Sequence, residues 1–383
     1  MSTALLVDTG FSALPILEAL KAAGVEVHVV GARPSDPLVG SADQYHLVDY
    51  SDVAAMSQLI ASRDFQFLVP GCTDKSYEVC AQVAQPTHRG IDGPEVTKRI
   101  NDKKLFREVL ASIGVPAPQS YRLDQTYDAH GALIVKPVDS FSGRGITVID
   151  EPNEASVAAA VDHAREYSAS TEVMIEDFVT GQLYSFSCFL VSGTASTGFF
   201  VREDCERTKF AVDTSAVCSD FPTGVAGQIR RSVEQIAALL ELADGLFHVQ
   251  FILNQEQYWI LEATRRCPGD LYSILIELAT GYEYAKAYVA GFLGEPAPVS
   301  PSGAAVRPIM RHTLAGKGSQ YLSYWSSDAA VKIVRCYPVA SCGSSWIGDR
   351  PNRCAVLFVE PDQNGQDHDL YDALRRGTLF EAP

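Results

Sequence analysis

Leu133-Ile134-Val135-Lys136-Pro137 runs straight into Val138-Asp139-Ser140-Phe141-Ser142-Gly143-Arg144-Gly145-Ile146, a succession that few folds accommodate. A short apolar strand delivers a lysine to a turn of small residues, and a second strand, Ile146 to Ile149, leaves it. Backbone N–H groups can close on phosphate oxygens where side chains are small, and the lysine adds a fixed positive charge. The stretch reads as a flap over a polyphosphate, with a plain hairpin connection as the alternative. Lys136, Ser140, Ser142, Gly143 and Gly145 are its candidate phosphate contacts.

The flanking sequence decides between these readings. Asn101-Asp102 caps a predicted helix running to about Ile113, closed by Gly114 with Pro116 and Pro118 beyond. Lys103 sits in its first turn, where the helix dipole favours anions. It is either a solvated lysine or the partner of a bound phosphate. Strand Val173 to Val179 carries Glu176, Asp177, Phe178 and Val179. Its backbone can pair with an adenine edge and a carboxylate beside it can hold ribose hydroxyls; alternatively Glu176 faces solvent. Further on, Leu246 to Leu253 and Tyr258 to Glu262 form a hairpin that sets Gln250 beside Glu262. A carboxylate on an apolar strand is costly unless paired or bound to a cation, and magnesium suits oxygen donors of this kind. The basic turn Arg265-Arg266-Cys267-Pro268-Gly269-Asp270 follows. Arginine's planar fork fits carboxylate or phosphate, so Arg266 is a substrate anchor or else a surface residue paired with Asp270.

At 383 residues the chain is long enough for two or three packed units. Residues 4 to 69 alternate strand, helix and strand, as in an open parallel sheet with helices on its faces. The loops Asp8-Thr9-Gly10 and Pro70-Gly71-Cys72-Thr73-Asp74 would lie at the strands' carboxyl ends, where such sheets bind ligands. Neither G-x-G-x-x-G nor the P-loop pattern is present. A linker at Gly294 to Pro298 precedes a β-rich remainder without a nameable motif.

Composition narrows the classes. Apolar residues make up 46% and charged ones 20%, which suits a globular chain. A net charge of -16 argues against nonspecific nucleic-acid binding, though not against a locally basic nucleotide pocket. No run approaches the roughly 18 apolar residues of a membrane span, and no secretory signal is visible. Nine cysteines without a C-x-x-C pair imply reduced thiols in a cytoplasm, and the histidines lack zinc-site spacing.

Taken in order, these stretches resemble an ATP-grasp enzyme over roughly residues 1 to 295. The resemblance implies an N-terminal Rossmann-like domain (1–97), an ATP-grasp domain (98–295, with a flap subdomain near 118–180 and a sheet over 181–295) and a β-rich C-terminal subdomain (296–383). It implies ATP held by Lys103, Lys136, the Ser140 to Gly145 turn and the Glu176 to Val179 linker. It also implies Mg2+ on Gln250, Glu262 and Thr264, with Arg266 as the catalytic arginine. Two positions depart from the family pattern: Thr264 stands where many members have Asn, and Leu183 where many have a carboxylate.

The implied reaction phosphorylates a carboxylate to an acyl phosphate, which an amine attacks, releasing ADP and phosphate. The Glu262 to Tyr272 stretch looks most like the branch that joins amino acids. A ligase of purine or other small-metabolite synthesis, and a nucleotide binder whose catalysis has lapsed, are the competing expectations. Ligases of this kind are often dimeric, so a homodimer is expected alongside the small-molecule substrates, with no nucleic acid or membrane partner.

Overall fold

The computed structural model describes residues 2–123, 131–140, 143–205, 210–299, 305–316, 331–340, 352–361 and 367–376. The first unit is built from β1 (Thr3–Val7), α1 (Leu14–Ala22), β2 (Glu26–Gly31), β3 (Gln44–Leu47), α2 (Val53–Ala61), β4 (Phe67–Pro70) and α3 (Asp74–Val83). All its strand pairs are parallel, in the order β3-β2-β1-β4. Ala4 to Val7 are wholly buried, as a strand covered on both faces must be. Asp8 ends β1 and ties the two ligand-side loops together: its carboxylate accepts from the amides of Gly10 and Cys72, each at 2.8 Å.

Two helices lead onward, α4 (Pro94–Asn101) and α5 (Lys103–Ser112). Asp102 separates them, its Oδ1 accepting from Lys104 and Leu105 amides at 2.9 and 3.0 Å. A small antiparallel sheet follows: β5 (Ser120–Tyr121), β6 (Leu133–Pro137), β7 (Thr147–Ile149), then α6 (Glu154–Arg165) and β8 (Val173–Asp177). Its order is β5-β8-β6-β7, with α6 packed over Leu133, Val135 and Ile175. Asn153 caps α6 in a reciprocal box with Ser156.

The largest layer takes in β9 (Gln182–Val191), β10 (Thr194–Asp204), β11 (Thr214–Val217), α7 (Thr223–Leu240), β12 (Gly245–Asn254), β13 (Gln257–Thr264), α8 (Tyr272–Thr280) and α9 (Tyr284–Leu293). Beyond these come β14 (Met310–Gly316), β15 (Val331–Pro338), β16 (Asn352–Pro361) and α10 (Asp367–Arg376). Eight strands form one antiparallel sheet, β13-β12-β9-β10-β11-β14-β16-β15. The C-terminal strands thus continue the sheet that carries Gln250 and Glu262, through the β11–β14 pairing. One core cluster joins α1 and β1 of the first unit to α8, α9 and Phe358 of β16. Among the described residues no helix is long and apolar enough to cross a membrane.

Candidate active site

Three basic residues meet below the small sheet. Lys103, the first residue of α5, donates from Nζ to the carbonyls of Ser140 at 2.9 Å and Val138 at 3.4 Å. It is therefore tied to the strand end that enters the flap turn. Lys136 is buried on β6, with its Nζ 2.5 Å from Oε2 of Glu176. Arg107 reaches the same carboxylate from α5, Nε to Oε1 at 2.5 Å, and the Ser120 hydroxyl adds a bond at 3.3 Å.

The Glu176 carboxylate is neither solvent-facing nor free for sugar hydroxyls, because two buried cations claim it. Burial alone would raise its pKa, but Lys136 and Arg107 pull it below the usual carboxylate range. One carboxylate serving two cations leaves a surplus positive charge. Lys136 feels that surplus: burial first, and Arg107 with it, pull its pKa down against the attraction of Glu176.

The turn above them is shaped for close approach. Gly143 and Gly145 have φ of 70° and 71°, and the Ser140 hydroxyl donates to the Arg144 carbonyl at 3.2 Å. A Cβ on Gly145 would meet Pro137 Cγ and Tyr167 Cβ at 2.8 Å. Ser142 lies outside the described residues. In the linker, the amides of Asp177 and Phe178 donate to the Gln119 and Ala132 carbonyls at 3.0 and 2.8 Å. The Asp177 carboxylate accepts from Tyr121 at 2.6 Å, and Val179 follows directly.

On the large sheet, register sets Gln250 opposite Glu262 and His248 opposite Thr264, with a bulge just past Gln250. Glu262 is exposed, so it carries no burial penalty of the kind its apolar strand suggested. Gln250 donates its amide to Oε2 of Glu203 at 2.5 Å, leaving its oxygen as the ligand end. Thr264 is engaged on both sides: it donates to Asp74 Oδ1 at 3.2 Å and accepts from the Arg266 amide at 3.3 Å. Arg266 forks onto Asp74, with Nε to Oδ1 at 2.8 Å and Nη2 to Oδ2 at 3.2 Å. The alternative pairing with Asp270 does not occur, because Asp270 faces Arg311 at 2.7 Å.

Asp74 joins the two halves of the site. Burial would raise its carboxyl, but Arg266, Thr264 and Lys103 hold it below the usual range. A residue of the first unit thus lies in the field of both Lys103 of α5 and Arg266 beyond β13. Among the described residues no group of three or more His, Cys, Asp or Glu gathers to hold a metal. The open Glu262 carboxylate and the Gln250 oxygen are hard donors, and that sparse set fits magnesium, which takes one or two carboxylates plus phosphate oxygens.

Sequence reasoning missed Asp74, Arg107, Glu203 and His248 as site residues. Asp74 left a signal as the last residue of a loop at the sheet's carboxyl edge, and Glu203 as part of the charged run Arg202 to Lys209, a candidate specificity loop. Glu203 is buried, bonded by Ser185 at 2.7 Å, and burial pushes its carboxyl up to about 7. His248 is buried edge-on to Tyr272, centroids 5.3 Å apart, and among the described residues nothing bonds its Nδ1. Burial, then Arg266, pushes its ring down to about 3, so it is neutral.

Residues 100–269 match the family model for an ATP-grasp domain. The formate-dependent phosphoribosylglycinamide formyltransferase of Burkholderia vietnamiensis is 24% identical over 320 residues, covering 79% of this chain and 78% of that protein. Phosphoribosylglycinamide synthetase from Anaerococcus prevotii superposes with a TM-score of 0.78 at 16% identity, over 99% of this chain and 98% of its own. The L-amino acid ligase from Bacillus licheniformis gives 0.76 at 13% identity, over 99% and 97%. At these identities the structural likeness is one of fold.

Proposed function

We propose that this chain, which has the ATP-grasp fold, is an ATP-dependent ligase that activates a carboxylate as an acyl phosphate and joins it to an amine, giving ADP and phosphate. The observation that supports the reading best is Asp74: Arg266 forks onto its carboxylate, and Lys103, bonded to the Val138 and Ser140 carbonyls at the flap, also helps to hold it low. A phosphate-seeking set and a carboxylate-seeking fork therefore act on one residue.

Lys103 and the surplus charge of the Lys136–Glu176–Arg107 group would hold the phosphates. The Val179 amide would face the base edge. Glu262 and the Gln250 oxygen would hold magnesium, whose chemistry here is to neutralise charge on the transferring phosphoryl group. Thr264 is too committed to be a strong ligand. Arg266 would exchange Asp74 for the substrate carboxylate and then steady the tetrahedral oxyanion formed when the amine attacks. The flap turn would cover the acyl phosphate and keep water from it.

An amino acid is the substrate we favour, since the segment from Glu262 to Tyr272 resembles the amino-acid branch and the L-amino acid ligase shares the fold. The curated relatives favour a second reading, a ligase of purine synthesis. Phosphate release from magnesium-ATP, with ADP and AMP told apart, tests both. Amino acids are offered singly and in pairs, against formate with phosphoribosylglycinamide. ADP that rises only with amino acids supports the first reading. ADP that rises only with formate and the ribonucleotide supports the second. AMP with pyrophosphate overturns the acyl-phosphate mechanism.

A further inference from the structure

Arg311 presents a buried donor that no group among the described residues uses. It lies on β14 with 0% exposure, next to β11 and β16 in the large sheet. Its Nε donates to the Ser215 hydroxyl at 2.7 Å. Nη1 reaches Asp270 Oδ2 at 2.7 Å and the Thr313 hydroxyl at 3.2 Å, while Nη2 has no partner among the described residues. Arg265 supplies an internal comparison. It is equally buried, yet its three nitrogens are all bonded, to Asp92, Leu246 and Ala243. Among the described residues Arg265 is thus fully satisfied, whereas Arg311, like Arg107 at Nη1 and Arg202 at Nε, keeps one nitrogen without a hydrogen bond. An unmade bond from a buried guanidinium calls for a ligand.

The second observation is the backbone that brings Asp270 to Arg311. Asp270 and Leu271 have φ of 59° and 63°, consecutive left-handed residues without a glycine. Asp tolerates that region; a buried leucine does so only where its surroundings over-determine it. The Asp270 amide is held by the Ser12 hydroxyl at 3.2 Å, and Tyr272, just beyond, touches Ser185 at 3.1 Å. Ser185 in turn holds Glu203, which Gln250 also touches. The pair therefore stands beside the proposed phosphoryl site: Asp270 is on the segment that carries Glu262 and Arg266, and Glu203 adjoins Gln250.

We propose that Arg311, Asp270 and Glu203 recognise the carboxylate and ammonium of an α-amino-acid-type zwitterion, the substrate that supplies the amine. The inference rests on the ligase reading for its role, though not for its binding. Arg311 Nη2 would take the carboxylate, and the two acids the ammonium. Charge selects this class over a phosphate ester. Asp270 and Glu203 face Arg311, with Asp204 and Asp213 in the same field, against the positive charges of Arg311 and Arg353. A zwitterion adds no net charge to this acidic set, whereas a phosphate dianion adds two negative charges to it.

The test is calorimetric titration of the full-length protein, loaded with magnesium and a non-hydrolysable ATP analogue. The probes are the common L-α-amino acids, then for the best binder its des-amino acid and its decarboxylated amine, and ribose 5-phosphate. At least one amino acid should bind, and removing either charged group should weaken it about tenfold or more. Arg311→Met should weaken it by a similar factor with nucleotide-analogue affinity unchanged. If that variant fails to fold, Asp270→Asn should weaken the amino acid and leave the des-amino acid alone. Ribose 5-phosphate binding in preference to every amino acid, no amino acid bound at all, or full affinity in the folded variants would overturn the site. The two readings fail separately. ADP formed with formate but no amino acid bound removes the zwitterion site and keeps the ligase. Amino acid bound but no ADP from any carboxylate and amine does the reverse.

Discussion

Glu176 shows how a single buried carboxylate can prepare a phosphate site. It neutralises only one of the two cations it faces, so the triad keeps a net positive charge in a dry place. Glu176→Gln would strand both cations, and breaking a buried pair in this way costs on the order of 3–5 kcal/mol. Urea unfolding should show that loss. Magnesium-ATP should then restore more stability to the variant than to the wild type, because phosphate oxygens replace the missing carboxylate. Equal recovery in both proteins would mean that Lys136 and Arg107 do not face the nucleotide. His46 offers a second test at this scale, far from the cleft. It stacks on His28, with ring centroids 5.1 Å apart, and burial, then the His28 charge, pushes it down to about 4. The folded chain keeps this ring neutral where the unfolded chain protonates it. Stability is therefore present above the ordinary histidine pKa and is lost as pH falls from about 6.5 through about 4. The ring is partly exposed, so the effect is on the order of 1 kcal/mol. His46→Gln should flatten that part of the acid-unfolding curve; an unchanged curve would refute the assignment.

The flap illustrates what an element can say before it folds. Its strand, lysine and small-residue turn are contiguous, so the sequence showed them directly, and β6 and β7 form where the short apolar run and the strand Ile146 to Ile149 predict. Gly145 needs to be glycine twice over, for its φ of 71° and for the Pro137 and Tyr167 atoms 2.8 Å from any Cβ. Gly145→Ala should strain the folded turn by roughly 1–3 kcal/mol, with or without nucleotide. The melting temperature should fall accordingly, and a turn that relaxes away from this geometry to relieve the strain should lose ATP affinity as well. A variant that melts and binds ATP like the wild type would show that the turn does not need its φ of 71°. The helices α3 and α4 were less legible, since polar residues interrupt the apolar face of α3 and α4 is only two turns long. Site partners were least legible of all. Arg107 and Glu176 lie 69 residues apart and Arg266 and Asp74 lie 192 apart. No local pattern connects such pairs; only the fold does. For the same reason the chain beyond residue 298 read as separate, whereas β14 and β16 complete the sheet and bring Arg311 to Asp270.

At the scale of the molecule, two adjacent arginines divide stability from chemistry. Arg265 is 3% exposed and points from the large sheet to Asp92 of the N-terminal part, whose carboxylate also accepts from Tyr77 and from the Ala243 amide, each at 2.8 Å. Arg266, one residue on, points to the cleft side, where its partner Asp74 is half-exposed. The first unit and the large sheet also share a core that runs from Ala4 to Phe358, so neither can open without exposing the other. Thermal unfolding should therefore be a single cooperative transition. Arg265→Met would leave Asp92 buried without its cation, a loss on the order of 3–5 kcal/mol. That loss should lower the whole transition, not split it. Arg266→Met removes a partly hydrated pair worth on the order of 1 kcal/mol, so the melting temperature should move little. Ligase turnover should nevertheless fall by orders of magnitude, because the carboxylate anchor is gone. Calorimetry of both variants beside ADP release gives the answer in one comparison. Should Arg265→Met melt in two steps, the shared core does not couple the units. Should Arg266→Met turn over at wild-type rate, the fork on Asp74 is a domain clasp and the carboxylate is held by some other group.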